Sequence, residues 1–169
     1  MDSSTEKTTR RHFLFRLGLV INVIAISLFA IPVVGYLLSP ARRFTWLDWI
    51  SLGQLTDFPE NQTRLATYIN PFKKQWDGAT AKIPCWVRRL AGKEFQVFAI
   101  NCTHLGCPVR WFSESGLFMC PCHGGVYYED GRQASGPPPR PLYQYKYKVD
   151  TGQLWIYAGR LPTLGQPEA

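Results

Sequence analysis

Two short segments of the chain concentrate the side chains that bind metals. The first reads CTHLGC over residues 102–107, and the second reads CPCHGG over residues 120–125. Together they form the pattern C-x-H-x15-C-x-x-H, with one additional cysteine in each segment. A cysteine and a histidine two or three positions apart lie on one loop, so each segment offers a thiolate and an imidazole. Such mixed ligands hold zinc, and they also hold an iron–sulfur centre in which two histidines replace two cysteines on one iron.

The two segments resemble the ligand loops of the Rieske iron–sulfur subunits of quinol–cytochrome c oxidoreductases, the cytochrome bc family. The resemblance implies a Rieske-type [2Fe–2S] cluster as the cofactor. In that arrangement Cys102 and Cys120 bind one iron, while His104 and His123 bind the other. A zinc site on the same four residues is the alternative, and electron paramagnetic resonance of the reduced protein distinguishes the two.

Further residues around the two segments are also similar to those of the family. Cys107 and Cys122 occupy the positions of a disulfide that joins the two loops. Leu105 stands where the family has an exposed leucine that shields the cluster from water. The segment GPPP at 136–139 resembles a stiff proline loop that covers the cluster. The cysteine pair favours the quinol-oxidising class over dioxygenase ferredoxins, which usually lack it.

Two positions bear on the reduction potential of the proposed cluster. Many high-potential family members carry a serine at the position of Gly125 and a tyrosine at the position of Tyr127. Each hydroxyl donates a hydrogen bond that stabilises the reduced cluster and raises its potential. Here the tyrosine is retained and the serine is absent. We therefore expect a potential below that of ubiquinol-oxidising relatives, which fits menaquinol as the donor.

The resemblance also implies a mechanism and a set of partners. The chain is expected to be the iron–sulfur subunit of a proton-translocating quinol–cytochrome c reductase, within a dimeric multi-subunit complex. Quinol bound to the cytochrome b subunit hydrogen-bonds a ligand imidazole, most simply the exposed His123, with His104 as the second ligand imidazole. The cluster takes one electron, the imidazole takes one proton, and the electron passes to a c-type cytochrome. The alternative is the Rieske subunit of another exported oxidoreductase, such as arsenite oxidase.

An apolar segment near the N-terminus predicts how the chain is held at a membrane. Leu17–Leu38 contains 22 residues without a formal charge, and as a helix it would span about 33 Å, against a bilayer core of about 30 Å. Upstream, Thr9-Arg10-Arg11-His12-Phe13-Leu14 resembles a twin-arginine export signal. The run exceeds the apolar core of a signal peptide, so we expect a retained single-pass anchor in a bacterial cell membrane. The N-terminus would be cytoplasmic, with the remainder on the outer, periplasmic or extracellular side.

The charge distribution supports a membrane protein and argues against nucleic-acid binding. The net charge is +7, and residues 1–43 contain six Lys or Arg against two acidic residues. The basic excess therefore flanks the apolar segment, as membrane topology requires. The expected organisation is an N-terminal segment at 1–16, the anchor at 17–38, a hinge at 39–43 and a Rieske domain at 44–169. Its cluster-binding subdomain would cover about 101–140.

The soluble part is expected to be an all-β Rieske fold, with antiparallel sheets and an inserted cluster-binding subdomain. Runs rich in β-branched and aromatic residues, bounded by Gly, Pro, Asp and Asn, predict eight strands. They are Phe44–Leu52, Arg64–Ile69, Ala81–Arg89, Phe95–Asn101, Gly116–Cys120, Val126–Tyr128, Tyr143–Val149 and Gln153–Tyr157. The fifth cysteine, Cys85, lies in one of these apolar strands and is expected to be a buried free thiol.

Overall fold

A computed structural model describes residues 9–38 and 47–167. The chain divides into two compact units, an N-terminal unit whose described residues form one helix and a C-terminal unit built from strands. The predicted hinge at 39–43 lies outside the described residues, as do the first three residues of the predicted strand Phe44–Leu52.

The N-terminal helix α1 runs from Arg10 to Leu38 and is long and apolar enough to cross a membrane. It contains Pro32 without ending there, which membrane helices tolerate. Asn22, the polar residue inside the apolar run, donates its side-chain amide to the Gly18 carbonyl at 2.8 Å. The helix starts seven residues earlier than the uncharged run, so Arg10 and Arg11 lie in its first turn. The twin-arginine signal itself stays a prediction.

Within residues 47–167, the C-terminal unit contains ten β-strands and two short 3-10 turns, at Leu55–Asp57 and Gly78–Ala81. The strands are β1 (Leu47–Gln54), β2 (Gln62–Ile69), β3 (Lys82–Arg89), β4 (Phe95–Ala99), β5 (Arg110–Phe112), β6 (Leu117–Cys120), β7 (Gly125–Tyr128), β8 (Gln133–Ser135), β9 (Gln144–Asp150) and β10 (Gln153–Gly159). The predicted all-β class is confirmed. The two strands that the sequence did not predict, β5 and β8, have three residues each, too few for an alternating pattern.

The strands form two antiparallel sheets, and the smaller sheet is inserted into the larger one. The larger sheet has the order β1-β10-β9-β4-β3-β2, and the smaller has the order β5-β6-β7-β8. All four strands of the smaller sheet lie in sequence between β4 and β9, which are neighbours in the larger sheet. The chain therefore leaves the larger sheet at β4, builds the smaller one, and returns beside the strand it left.

Two hydrophobic cores hold this arrangement together. The first belongs to the larger sheet and includes Val97, Tyr145 and Leu154, each at most 1% exposed. The second joins the sheets, because Phe98 of β4 packs edge-to-face on Phe118 of β6, with ring centroids 5.7 Å apart. Burial of such aromatic side chains is the main stabilising term available to short strands.

Cys85 lies in the first of these cores, on β3, with 0% of its surface exposed. This confirms the predicted buried free thiol. Burial raises the pKa of the Cys85 thiol to about 12, so the thiol stays protonated and unreactive at physiological pH.

The turn between β9 and β10 places a β-branched residue in an unfavourable backbone conformation. Asp150 pairs with Gln153, which leaves a two-residue turn of Thr151 and Gly152 with φ of 49° and 78°. Turns of this kind prefer asparagine at the first position, and β-branched residues are disfavoured there. Replacing Thr151 with Asn is expected to stabilise the chain by about 0.5–1 kcal/mol. Thermal unfolding of the detergent-solubilised chain measures this, and an unchanged or lower midpoint would contradict it.

Candidate metal centre

The first metal-binding segment forms a closed loop between β4 and β5. Asn101 and Pro108 pair as an isolated bridge at its base. Inside the loop, the Cys102 amide donates to the Cys107 carbonyl at 2.7 Å, and the Gly106 amide donates to the Cys102 carbonyl at 3.0 Å. These bonds fold the segment back on itself, so its two cysteines lie on opposite sides of one tight turn.

The second segment forms the turn between β6 and β7. Cys120 and Gly125 pair across the two strands, and the Gly124 amide donates to the Cys120 carbonyl at 3.2 Å. Gly124 has a φ of +70°, in the left-handed region that favours glycine. The four intervening residues are exposed, so this turn presents His123 at the surface and keeps Cys120 below it.

The structure brings the four predicted ligand residues together in an ordered arrangement. Cys102 and Cys120 are 2% and 4% exposed. His104 is half-buried and His123 is exposed, and their ring centroids are 4.9 Å apart with the planes nearly perpendicular. Two sulfurs therefore lie inside and two imidazoles outside. The thiols and the imidazoles thus form two separate pairs, which fits a cluster with one thiolate-bound and one imidazole-bound iron.

The environment of the inner sulfurs suits a metal and not a free thiolate. Burial raises the pKa of the Cys102 thiol, opposed by the Tyr127 hydroxyl and reinforced by the Cys120 thiol beside it. Without a metal, Cys102 would therefore remain protonated at neutral pH. Metal binding displaces such protons, and the positive charge of the iron compensates for the burial of the thiolates.

Cys107 and Cys122 form a disulfide that joins the two loops, with their Cα atoms 6.5 Å apart. This confirms the predicted pair. The sulfur of Cys120 lies within 4.8 Å of both disulfide sulfurs. Because those two sulfurs are bonded to each other, they are not available as thiolate ligands, and a three-cysteine zinc site does not form here.

Tyr127 lies directly against the Cys102 sulfur. Its hydroxyl oxygen is 3.1 Å from Cys102 Sγ, 3.1 Å from the Thr103 amide nitrogen and 3.0 Å from Thr103 Oγ1. Thr103 Oγ1 donates to the Arg140 carbonyl at 2.8 Å, so its proton is committed. Tyr127 therefore has one hydroxyl proton and two neighbouring acceptors for it, Cys102 Sγ and Thr103 Oγ1. Thr103 was not predicted as a site residue, although it lies in sequence between the predicted ligands Cys102 and His104.

Tyr127 is expected to act as a hydrogen-bond donor to the ligand sulfur. Burial raises its pKa, so the hydroxyl keeps its proton at neutral pH. Replacing Tyr127 with Phe removes this donor and is expected to lower the reduction potential by about 40 mV, equivalent to about 1 kcal/mol for a one-electron couple. Redox titration of the loaded protein measures the change. The neighbouring Tyr128, which is 47% exposed, provides the control, and an equal shift in Tyr128→Phe would refute the assignment.

The proline segment at 136–139 lies against the second loop. A Cβ atom placed on Gly136 would come within 2.5 Å of the Gly124 carbonyl oxygen and 2.9 Å of Gly125 Cα. Only the absence of a side chain allows this backbone contact. Pro138 is fully buried, while Pro137 and Pro139 are exposed. The predicted proline loop therefore packs on the site through one of its three prolines.

The C-terminal segment around Pro162 packs beside the first loop, a contact that was not predicted from the sequence. Asn101 donates its side-chain amide to the Pro162 carbonyl at 2.7 Å, which attaches this segment beside the first loop. A cavity of about 220 Å³ lies between them and is lined by Leu105, Tyr143 and Leu164 among others. Leu105 is 70% exposed and Leu164 is 47% exposed. The cavity beside His104 is therefore bordered by exposed apolar side chains.

Comparison with known proteins adds independent information. Residues 48–146 match the profile of the Rieske [2Fe-2S] domain. The chain is 36% identical over 148 residues to the cytochrome b6-f complex iron-sulfur subunit of Chlorobaculum tepidum, covering 87% of this chain and 74% of that protein. It is 31% identical over 167 residues to the menaquinol:cytochrome c reductase iron-sulfur subunit of Bacillus subtilis, covering 94% and 95%. A solved Rieske protein of the Synechocystis plasma membrane has 25% identity and a TM-score of 0.49, covering 64% and 98%.

Proposed function

Because this chain belongs to the Rieske [2Fe–2S] family, we propose that it takes electrons from a membrane quinol and passes them to a c-type cytochrome. Its relatives show that it is a Rieske electron-transfer subunit of the kind found in cytochrome b6-f and bc-type complexes. The observation that supports the quinol proposal is the pair of imidazoles near the surface, with His123 exposed and the half-buried His104 beside it.

The four ligand residues of the proposal fit the cluster that the family carries. Cys102 and Cys120 would hold the inner iron, and His104 and His123 would each hold the outer iron through one ring nitrogen. The fit rests on the buried sulfur pair, the facing imidazoles and the removal of Cys107 and Cys122 into a disulfide. When bound, a cluster of this type accepts and releases one electron.

The residues at the tip have separate tasks in the proposed reaction. His123 presents the ring nitrogen that is not used as a ligand, and this nitrogen accepts a hydrogen bond and then a proton from a quinol hydroxyl. Leu105 lines the same cavity as the half-buried His104, and its exposed apolar side chain would shield this side of the cluster from water. Tyr127 remains protonated and holds its hydroxyl on Cys102 Sγ. In this proposal the exposed His123 accepts the proton, and the buried Tyr127 donates a hydrogen bond to the Cys102 sulfur.

We propose menaquinol as the donor and the cytochrome b subunit as the partner that binds it. Gly125 offers no hydroxyl at the position where high-potential relatives carry a serine, which favours a lower-potential donor. The Bacillus subtilis relative is named as part of a menaquinol:cytochrome c reductase, which supports the same choice. We also propose that the complex is dimeric and translocates protons, as the resemblance to the cytochrome bc family implies.

The proposed topology has one membrane span with the β-strand unit on the outer side. The 29-residue helix and the membrane complexes named for the relatives support a single-pass anchor. Within this topology we propose the anchor at 17–38, the hinge at 39–43 and the Rieske domain at 44–169. The basic residues before the apolar run support a cytoplasmic N-terminus.

Purification of the tagged chain from its native membranes tests the proposal. We expect a b-type haem protein to co-purify, and we expect the complex to reduce a c-type cytochrome faster with menaquinol than with ubiquinol. A molybdenum protein in place of the haem protein would support the arsenite oxidase alternative. A complex that oxidises neither quinol would contradict the proposed function.

A further inference from the structure

The space beside Gly125 is filled by the ring of Pro138. A Cβ atom placed on Gly125 would lie 2.7 Å from Pro138 Cγ and 3.2 Å from Pro138 Cδ. Carbon atoms that are not bonded do not approach so closely, since their optimal separation is about 3.5–4.0 Å. A proline ring cannot rotate away as a flexible side chain would, so only a change of ring pucker or a backbone shift would move these atoms. Any side chain at position 125 therefore requires Pro138 itself to shift.

The same space borders a proposed ligand sulfur. The Cβ position on Gly125 is 3.5 Å from Cys102 Sγ. A group attached there would therefore touch this sulfur from a second direction, in addition to the Tyr127 hydroxyl at 3.1 Å. Pro138 presents only ring carbons in this place, and these donate no conventional hydrogen bond.

Pro138 has little room to retreat. It is among the fully buried side chains, with less than 2% of its surface exposed. Two residues earlier, the Gly136 backbone rests on the backbone of Gly124 and Gly125, and Gln133 Nε2 donates to the Gly136 carbonyl at 3.1 Å. A larger residue at position 125 would therefore push against an anchored segment.

We propose that Pro138 is a positioning residue that limits the number of hydroxyl donors at the cluster site beside Cys102, because its ring occupies the space that a side chain at position 125 would need. This inference rests on the proposed function, because it concerns the reduction potential of the cluster at that site. Gly125 alone does not explain the missing donor, since a serine side chain at this position would collide with the Pro138 ring. Gly125 and Pro138 therefore act together. A side-chain hydroxyl at position 125 fits without strain only when Pro138 is also replaced.

A double-mutant cycle on the full chain, loaded with its cluster, tests the proposal. In the Pro138→Ala background, Gly125→Ser is expected to increase the equilibrium constant for reduction about tenfold, which is 59 mV for a one-electron couple. In the wild-type background the same serine is expected to give less than a third of that shift in potential, or to displace the cluster. Pro137→Ala, at an exposed proline of the same segment, is the matched control and should not restore the gain.

Three results would overturn the inference. The first is a full tenfold gain with Gly125→Ser alone, and the second is equal rescue by Pro137→Ala. The third is a double variant that holds its cluster at an unchanged potential. If both serine variants lose the cluster, Gly125→Ala decides the question through thermal unfolding. The proposal requires that this alanine lower the midpoint and that Pro138→Ala restore it, and no restoration would refute it.

Thermal unfolding of the alanine variants also tests the inference independently of the proposed function. Steric rescue of Gly125→Ala by Pro138→Ala depends on packing alone and needs no electron transfer. If the wild-type protein shows no signal of a mixed-ligand [2Fe–2S] centre, the proposed function fails, while rescue of the thermal midpoint would still support exclusion by Pro138. If the signal is present and no variant pair shows coupling, only the inference fails.

Discussion

Replacing His123 with Ala is expected to abolish the electron paramagnetic resonance signal of the reduced cluster and to stop quinol oxidation. The imidazole of His123 lies beside that of His104, with ring centroids 4.9 Å apart, so its loss removes half of the proposed outer ligand pair. Loss of a hydrogen-bonding partner of a ligand costs about 10–100-fold in metal affinity or activity, and loss of a ligand itself is expected to cost more. The measurements are iron content, the spectrum of the dithionite-reduced protein and the rate of cytochrome c reduction.

The chain offers matched controls for this experiment. His12 is the third histidine and lies on α1, so His12→Ala should retain the cluster. Cys85 is a free thiol in the core of the larger sheet, and Cys85→Ala likewise serves as the control for Cys102→Ser and Cys120→Ser. An unchanged spectrum in His123→Ala, or equal losses in the control variants, would refute the ligand assignment.

Removing the disulfide by the paired change Cys107→Ser and Cys122→Ser is the second large effect. The two cysteines are 15 positions apart, and closing a loop of this length is worth about 3 kcal/mol on the chain-entropy model. For a domain of this size that corresponds to a fall of roughly 10 °C in the midpoint of thermal unfolding. We also expect faster loss of the cluster, because the two ligand loops are no longer joined to each other.

Reduction of the wild-type protein provides the control for the disulfide experiment. Dithiothreitol should lower the midpoint of the wild-type protein toward that of the double serine variant, and it should leave the variant unaffected. Calorimetry with and without reductant measures both changes. A variant that unfolds at the wild-type temperature and retains its cluster equally long would show that the disulfide does not stabilise the site.

The sequence predicted the chemistry of the site better than its surroundings. Ligand spacing is local, since a cysteine and histidine two or three positions apart identify a loop without knowledge of the fold. The position of Tyr127 was inferred from the family pattern, and its contact with Cys102 is present in the structure. Contacts between segments distant in sequence were not predictable in this way. The packing of Pro138 on Gly125 and of Pro162 beside Asn101 depends on how the loops meet in three dimensions.

In the fold, too, local features were predictable from the sequence and pairings between distant segments were not. The longer predicted strands have observed counterparts because their apolar and β-branched residues form recognisable runs. The strands β5 and β8 were missed because they have three residues each, and their pairing depends on the neighbours β6 and β7. The antiparallel neighbours β4 and β9 are separated by more than forty residues, and no local pattern indicates that they pair.

The insertion of the smaller sheet between two paired strands has a consequence for how such proteins can diversify. Val97 of β4 faces Tyr145 of β9, so the inserted unit enters and leaves the larger sheet at adjacent points. Its loops can therefore lengthen, shorten or be exchanged as a cassette while the six-stranded framework keeps its connectivity. The larger sheet can therefore stay the same while the inserted unit, which carries the redox centre, changes to suit a new electron donor or acceptor.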